Sequence, residues 1–224
     1  MLPDRAYPRW APTIHLRAAR RPMSPGPGRG RKGVGRLLCT SIGSLDGYLA
    51  DPDGDFGWAA PDPEVHAFVN ERQRGVGTYL YGRRTYELMV GWETEPALAA
   101  ASPETAAFAE LWQGADKIVW STSLTSTATR RTTLRRTFDP AEVARLKQES
   151  SADLAVAGPT FARHAFAAGL VDELQVFLVP LVLGAGLSFW PSARTPLVLL
   201  DERRFAGGVV WLRHQVVGGV PAAH

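Results

Sequence analysis

The sequence predicts an α/β fold: a mostly parallel central sheet with flanking helices and antiparallel strands at its C-terminal edge. Three features predict it. From Leu37 onward, short apolar runs alternate with segments of helical spacing, the pattern of strands joined by crossover helices. Two runs end in a glycine, Gly82 and Gly158, from which a helix starts at once. After residue 190 two strand-like runs follow one another with no helix between them, which antiparallel neighbours allow and parallel ones do not.

The elements follow in order. Leu37 to Ile42 reads as a short buried strand, stopped by Gly43 and the turn pair Asp46-Gly47. Residues 50–63, dense in Asp, Gly and Pro, form a loop. Glu64 to Arg74 has helical spacing, with Val65, Phe68 and Val69 on one face. Thr78 to Tyr81 is a strand, and Gly82 turns it into a helix beginning near Arg84. A polar, Ala-rich stretch leads to a helix at 104–112, and Asp116 to Trp120 is the next strand. It runs into Ser121-Thr122-Ser123, and 124–138 has room for an edge strand. Asp139 as N-cap and Pro140 in the first helical position open a helix to about Gln148. Asp153 to Ala157 is a strand of small apolar residues; Gly158-Pro159-Thr160 then opens a helix to Ala168, stopped by Gly169. Glu173 to Pro180 is strongly strand-like, and further strands lie around Leu197–Leu200 and Gly208–Val216. No repeat or linker interrupts residues 37–217. We assign one domain to 35–217, a disordered basic tail to 1–34 and a flexible C-terminus to 218–224.

A hydrophobic fraction of 45% and a charged fraction of 21% are ordinary for a globular chain, so a core can be buried. The pI of 9.3 points to nucleic acid only until the charge is located. Residues 1–36 hold eight Arg and one Lys against Asp4 alone, a net +8; subtracting this from the chain's +3 leaves −5 on residues 37–224. The domain is therefore mildly acidic, which argues against a phosphate-backbone footprint. The tail is too rich in Pro, Gly and Arg to pack. It is read as a disordered extension, a polyanion-binding arm, or an over-extended start with initiation at Met23 or later; composition favours a tail without function or a misplaced start. It lacks the apolar core of a secretory signal. No window reaches the roughly 18–20 uninterrupted apolar residues of a membrane span, since Pro180, Gly184 and Gly186 break the closest one. The single cysteine, Cys39, lies in an apolar run, permits no intrachain disulfide and reads as a buried structural thiol in a reducing, cytoplasmic setting.

Chemistry is expected at the strand-to-helix junctions. At Tyr81-Gly82-Arg83-Arg84-Thr85, glycine lets backbone approach a ligand, and the helix start offers free N–H groups with partial positive charge. Arg83 and Arg84 add guanidinium forks suited to phosphate, although a capped helix with two solvated arginines has the same sequence. Ala157-Gly158-Pro159-Thr160-Phe161 is a second such junction, and Ser121 and Thr122 place hydroxyls at the end of a third strand. Open α/β sheets bind ligands at the carboxyl ends of their strands. No G-x-G-x-x-G follows a strand and no G-x-x-x-x-G-K-[ST] occurs. The five histidines show no H-x-x-x-H spacing and no cysteine partners, so no metal site is expected. Gly186-Leu187-Ser188 lacks the second glycine of a nucleophile elbow.

Three segments carry a resemblance. Gly82-Arg83-Arg84-Thr85-Tyr86-Glu87 resembles the G-R-x-T-[WY]-E segment of dihydrofolate reductases. Leu170-Val171-Asp172-Glu173-Leu174, running on to Val179-Pro180-Leu181-Val182-Leu183-Gly184-Ala185-Gly186, is similar to the L-V-D-E-L … P-x-x-L-G-x-G signature of the riboflavin-biosynthesis reductase domain. Ser44-Leu45-Asp46-Gly47-Tyr48-Leu49-Ala50 resembles that family's S-x-D-G-x-x-A. Together they span about residues 35–217, in the family's order. The resemblance implies a dihydrofolate-reductase-like fold, NADPH as cofactor, hydride transfer to a pterin-like or pyrimidine-like small heterocycle, and a homodimer. It implies that Ile42 and Leu49 flank the nicotinamide, and that Gly82, Arg83, Arg84 and Thr85 hold cofactor phosphates. Ser121 and Thr122 match serines that reach the adenosine 2′-phosphate, and Gly158, Pro159, Thr160 and Phe161 match the pyrophosphate turn.

The chain departs from that family in two places. The usual glycine pair or triplet is thinned to Ala157-Gly158, and Pro159 has no N–H to give a phosphate. The family's acid, in a W-x-x-P-x-[DE] setting, corresponds to Glu64 in Trp58-Ala59-Ala60-Pro61-Asp62-Pro63-Glu64 once one residue is inserted, with Asp62 the lesser candidate. Such an acid would protonate the ring nitrogen beside the carbon that receives hydride. The alternative is that Asp62 and Glu64 only cap a helix and favour its dipole. Asp46 reads as a turn residue. The leading function is thus an NADPH-dependent reductase standing alone, since one cysteine cannot build a deaminase zinc set of the H-x-E, P-C-x-x-C kind. The alternatives are a non-catalytic NADP-binding module and nucleic-acid binding through the tail.

Overall fold

Leu37, Leu38 and Cys39 are apolar on both faces, as a strand covered on both sides requires. They begin β1 (Leu37–Ser44), fifth of eight strands in the main sheet. The computed structural model describes residues 34–218; apart from Val34 and Gly218, the expected tail and C-terminus lie outside the described residues. After β1 come β2 (Tyr48–Ala50), a 3₁₀ turn (Gly57–Ala59), α1 (Pro63–Gln73), β3 (Val76–Gly82), α2 (Arg83–Met89), α3 (Gly91–Thr94) and α4 (Pro96–Ala99). Then follow α5 (Pro103–Gly114), β4 (Asp116–Trp120), β5 (Thr132–Arg135), α6 (Pro140–Glu149), β6 (Asp153–Ala157) and α7 (Pro159–Ala167). Four strands end the fold: β7 (Glu173–Val179), β8 (Leu187–Ser188), β9 (Leu197–Arg204) and β10 (Val210–Val216).

The main sheet runs β5-β4-β3-β6-β1-β7-β10-β9, parallel from β5 to β7, with β10 antiparallel to both its neighbours. This is the mostly parallel sheet with antiparallel C-terminal strands that the sequence predicts. Cys39, Leu80, Val156 and Val176 point to one face, where α6 and α7 bury Val143, Phe161 and Ala165 against them. Leu38, Tyr79, Tyr81 and Ala155 point to the other, under Tyr86 of α2 and Trp112 of α5. Beyond β1, α1 packs Val65 on Phe177, Phe205 and Trp211. Burial pushes the Cys39 thiol up to about 12, so it stays protonated inside the core.

Differences from the expected elements have local causes. The sequence gives no sign that β2 pairs with β8 in a second, two-stranded sheet, since each is too short to show alternation. β9 continues four residues past Leu200 through Asp201-Glu202-Arg203-Arg204, because an edge strand faces solvent and tolerates charge. Among the described residues no helix is long and apolar enough to cross a membrane.

An ion network clamps the amino ends of the central strands. The Glu173 carboxylate, almost fully buried, accepts from Arg213 at 2.7 and 2.8 Å and from the Arg36 guanidinium, which also pairs with Asp153. Asp172 accepts from the Leu37 amide at 2.7 Å and pairs with Lys147. The Asp-Glu pair of the L-V-D-E-L segment therefore ties β1, β6, β7 and β10 together. Replacing Glu173 with Gln leaves two guanidinium groups without their shared anion. Urea unfolding should show a loss of about 3 kcal/mol.

Candidate functional site

The two predicted junctions meet. Tyr81 at the end of β3 is level with Ala157 at the end of β6, so Gly82 and Gly158 stand side by side at the carboxyl edge of the sheet. Gly158 has φ +89°, a left-handed value that favours glycine, and a Cβ there would fall on Thr85 Oγ1. The first turns of α2 and α7 are thus in contact, and neither has a side-chain cap.

Side chains fix both helix starts from beneath. Phe161, buried in the first turn of α7, stacks on Trp120 with ring centroids 4.8 Å apart and is part of the core. Tyr86, buried in α2, accepts the Ala128 amide at 2.9 Å and the Thr129 amide at 3.2 Å, which holds the loop after β4. Arg83 and Arg84 are exposed; Arg83 lies 3.7 Å from Glu87, and Arg84 has no ion-pair partner among the described residues. Thr160 is exposed beside them.

The third junction is built differently from the expectation for its hydroxyls. Trp120 is level with Gly82 on one side and Arg135 on the other. The following Ser121 is buried, and its Oγ accepts from the Ser123 amide at 3.2 Å and the Leu124 amide at 2.9 Å. Thr122 is exposed. Arg136, which the sequence reading did not single out, donates from Nη1 to the carbonyls of Ser121 at 3.1 Å and Leu124 at 2.6 Å. Only the third dimension reveals this brace.

Ile42, near the end of β1, packs toward Val65 and Phe177, whereas Leu49 on β2 packs against the core under α7. Glu64 is placed away from the two helix starts. Its carboxylate accepts from Arg203 Nη2 at 3.0 Å and from the Ala206 amide at 3.1 Å, at the β9–β10 turn. Asp62 caps α1, accepting from the Val65 amide at 2.8 Å. Asp46 is a turn residue that also reaches across: it accepts from Ser44 Oγ at 2.7 Å, from the Leu183 amide at 3.2 Å and from the Gly184 amide at 2.7 Å. These bonds, the Ser44 hydroxyl first and the Gly184 amide next, hold its carboxyl below the usual range.

A groove of about 510 Å³ between α1 and α5 lies at the opposite end, by the amino ends of β3 and β4 at Val76, Gly77 and Ala115. It is shallow and lies away from the strand-to-helix junctions at the carboxyl ends of β3 and β6. Among the described residues no group of three or more His, Cys, Asp or Glu side chains is placed to hold a metal ion.

The sequence model of the family described as RibD C-terminal domain matches residues 36–199. The Bacillus subtilis (strain 168) protein named Uncharacterized protein YyaP is 26% identical over 183 residues, 78% of this chain and 92% of its own. A putative riboflavin biosynthesis protein from Shewanella sp. PV-4 has a similar structure, with a TM-score of 0.62 and 17% identity, over 81% of this chain and 99% of that one. Dihydrofolate reductase from Enterococcus faecalis, complexed with NADP(H) and RAB-propyl, gives a TM-score of 0.53 at 14% identity, over 82% and 98%. At these identities the two structural likenesses establish the fold: it is dihydrofolate-reductase-like.

Asp46→Ala should free the loop after β7. Amide exchange at Leu183 and Gly184 should accelerate, with little change at the amino-end clamp. In the unaltered protein the same protection should persist above the ordinary Asp value of about 3.9 and fade as pH falls through the depressed one.

Proposed function

The chain belongs to the RibD C-terminal domain family, and from that premise we propose that it is an NADPH-dependent reductase, standing alone, that passes hydride to a small pyrimidine-like or pterin-like heterocycle. The observation that carries this reading is the contact of Thr85 with Gly158, which sets two uncapped helix starts beside each other with Arg83 and Arg84 at their rim. Such a cradle suits a dinucleotide diphosphate, since N–H groups and partial positive charge converge on one anion. Both structures cited above have this fold, and one of them is complexed with NADP(H).

In this reading Gly82, Arg83, Arg84 and Thr85 hold one side of the diphosphate. Gly158 and Thr160 hold the other by backbone N–H; Pro159 sets the turn without donating, and Phe161 anchors it to the core. Ile42 and Leu49 line the nicotinamide end. NADPH, when bound, supplies the hydride. The protein would orient the ring, and the proton that balances the hydride would come from the Glu64 carboxyl or from solvent. A second reading, a binding module without turnover, draws on one observation: both oxygens of Glu64, the acid that the family pattern designates, already accept hydrogen bonds.

Thermal denaturation with NADPH, NADP⁺, NADH and FMN tests the first step. NADPH at about 100 times its Kd should add about 2.7 kcal/mol of apparent stability and raise Tm by several degrees. Gly158→Ala should abolish that rise, because its Cβ displaces Thr85. A rise with FMN and none with NADPH would sink the proposal.

Turnover, followed as loss of NADPH absorbance near about 340 nm over a panel of pyrimidine-like and pterin-like compounds, separates enzyme from module. Glu64→Gln should leave NADPH affinity within about twofold and lower the rate by 10²-fold or so if its carboxyl carries the proton. An unchanged rate with a lowered Tm leaves Glu64 as the anchor of α1.

A further inference from the structure

We infer that the groove between α1 and α5 is a second binding site, one that takes a small apolar α-amino acid as its zwitterion. It goes beyond the cofactor reading and does not rest on it, since the groove lies by the amino ends of β3 and β4. The volume of about 510 Å³ is in the range of small-molecule sites, which join apolar surface to a few polar groups. Here Val76 and Ala115, both buried, and the partly buried Leu111 supply the apolar surface.

Asn70, in the α1 wall, supplies the polar anchor. It is only 5% exposed, and its Nδ2 donates to the Glu104 carbonyl at 2.8 Å. That bond fixes which end of the amide is which. It leaves Oδ1 buried with no donor among the described residues. An acceptor left in this state costs about 1–3 kcal/mol, so this wall calls for an N–H or O–H group.

The charges of the rim say which group that is. Arg131, which also lines the groove, is spent on Asp116, 3.0 Å away. Arg74, just past the end of α1, and Glu110, on α5, are exposed and have no ion-pair partner among the described residues. A cation on one wall and an anion on the other match a molecule that carries both charges close together. The carboxylate of an α-amino acid meets Arg74. Its ammonium meets Glu110 and donates to Asn70 Oδ1, while its side chain lies on Val76 and Ala115. A plain carboxylic acid leaves Glu110 and Asn70 unmet, and a plain amine leaves Arg74 unmet. Gly114 keeps the groove open, with nothing within 4 Å of where a Cβ would stand.

The test is calorimetric titration of the full chain with L-leucine, leucinamide and N-acetyl-leucine. Leucine should bind saturably, and the two derivatives, each short of one charge, should bind about tenfold more weakly, the scale of one charge-assisted contact. Arg74→Gln should erase the difference between leucine and leucinamide, and Glu110→Gln that between leucine and N-acetyl-leucine. Gly114→Phe should abolish binding without lowering Tm, because the ring fills the groove and displaces nothing. No saturable heat with leucine, derivatives that bind as well as leucine, or binding that survives Gly114→Phe each overturns the inference; the first means that water alone meets Asn70. None of these titrations contains NADPH, so their failure leaves the cofactor reading standing.

Discussion

The contact between Thr85 Oγ1 and the bare Cα of Gly158 is the constraint on which the carboxyl end of the sheet depends. Two helices that leave adjacent parallel strands could splay apart, each with its own solvated start. Here the left-handed turn at Gly158 brings α7 up against α2, and any side chain at that position would separate them. The contact is transmitted inward by two aromatic residues. Phe161 locks the rotation of α7 through Trp120, and Tyr86 ties α2 to the loop after β4. Helix starts, stacked core and loop brace are therefore tied into one unit.

The most recognisable residues of the chain act far from that unit. Asp172 and Glu173 hold the amino ends of β1, β6 and β7 and the antiparallel β10 beside them, with Arg36, Arg213 and Lys147 as their partners. A carboxylate as buried as Glu173 is tolerable only with such partners, so the motif and both of its arginines depend on one another. Signature residues of this kind identify a family by how its sheet is clamped. They say little about the other end of the sheet, which presents glycines, helix-start N–H groups and the exposed guanidinium groups of Arg83 and Arg84.

Period and punctuation made most of the fold legible. The glycines at 82 and 158 marked the strand-to-helix junctions, the Asp139-Pro140 start marked α6, and the Thr- and Arg-rich 124–138 segment does hold an edge strand, β5. Partners distant in sequence stayed hidden. Nothing near Glu64 shows that its carboxylate meets Arg203 and Ala206, and nothing near Ser121 shows that its hydroxyl turns inward while Arg136 closes the turn. Spacing reports which face a residue shares with its neighbours. It does not report what a long side chain finds across a turn.

The loops that follow β1 and β7 close the carboxyl ends of those strands in a way that the junctions after β3 and β6 do not. β1 and β7 pair along seven consecutive positions, from Leu38 with Glu173 to Ser44 with Val179, so the loops that follow them emerge side by side. Those loops interlock. Asp46 takes the amides of Leu183 and Gly184, Gly186 sits against the Ala50 carbonyl, and Trp190 covers Gly47, where a Cβ on either glycine would collide. The β1–β7 seam is thus closed by charge at its amino end and by interlocked loops at its carboxyl end. At the β3–β6 seam, beyond the β6–β1 pair, the corresponding closure is a small contact between Thr85 and Gly158, with helix starts that lack side-chain caps on either side.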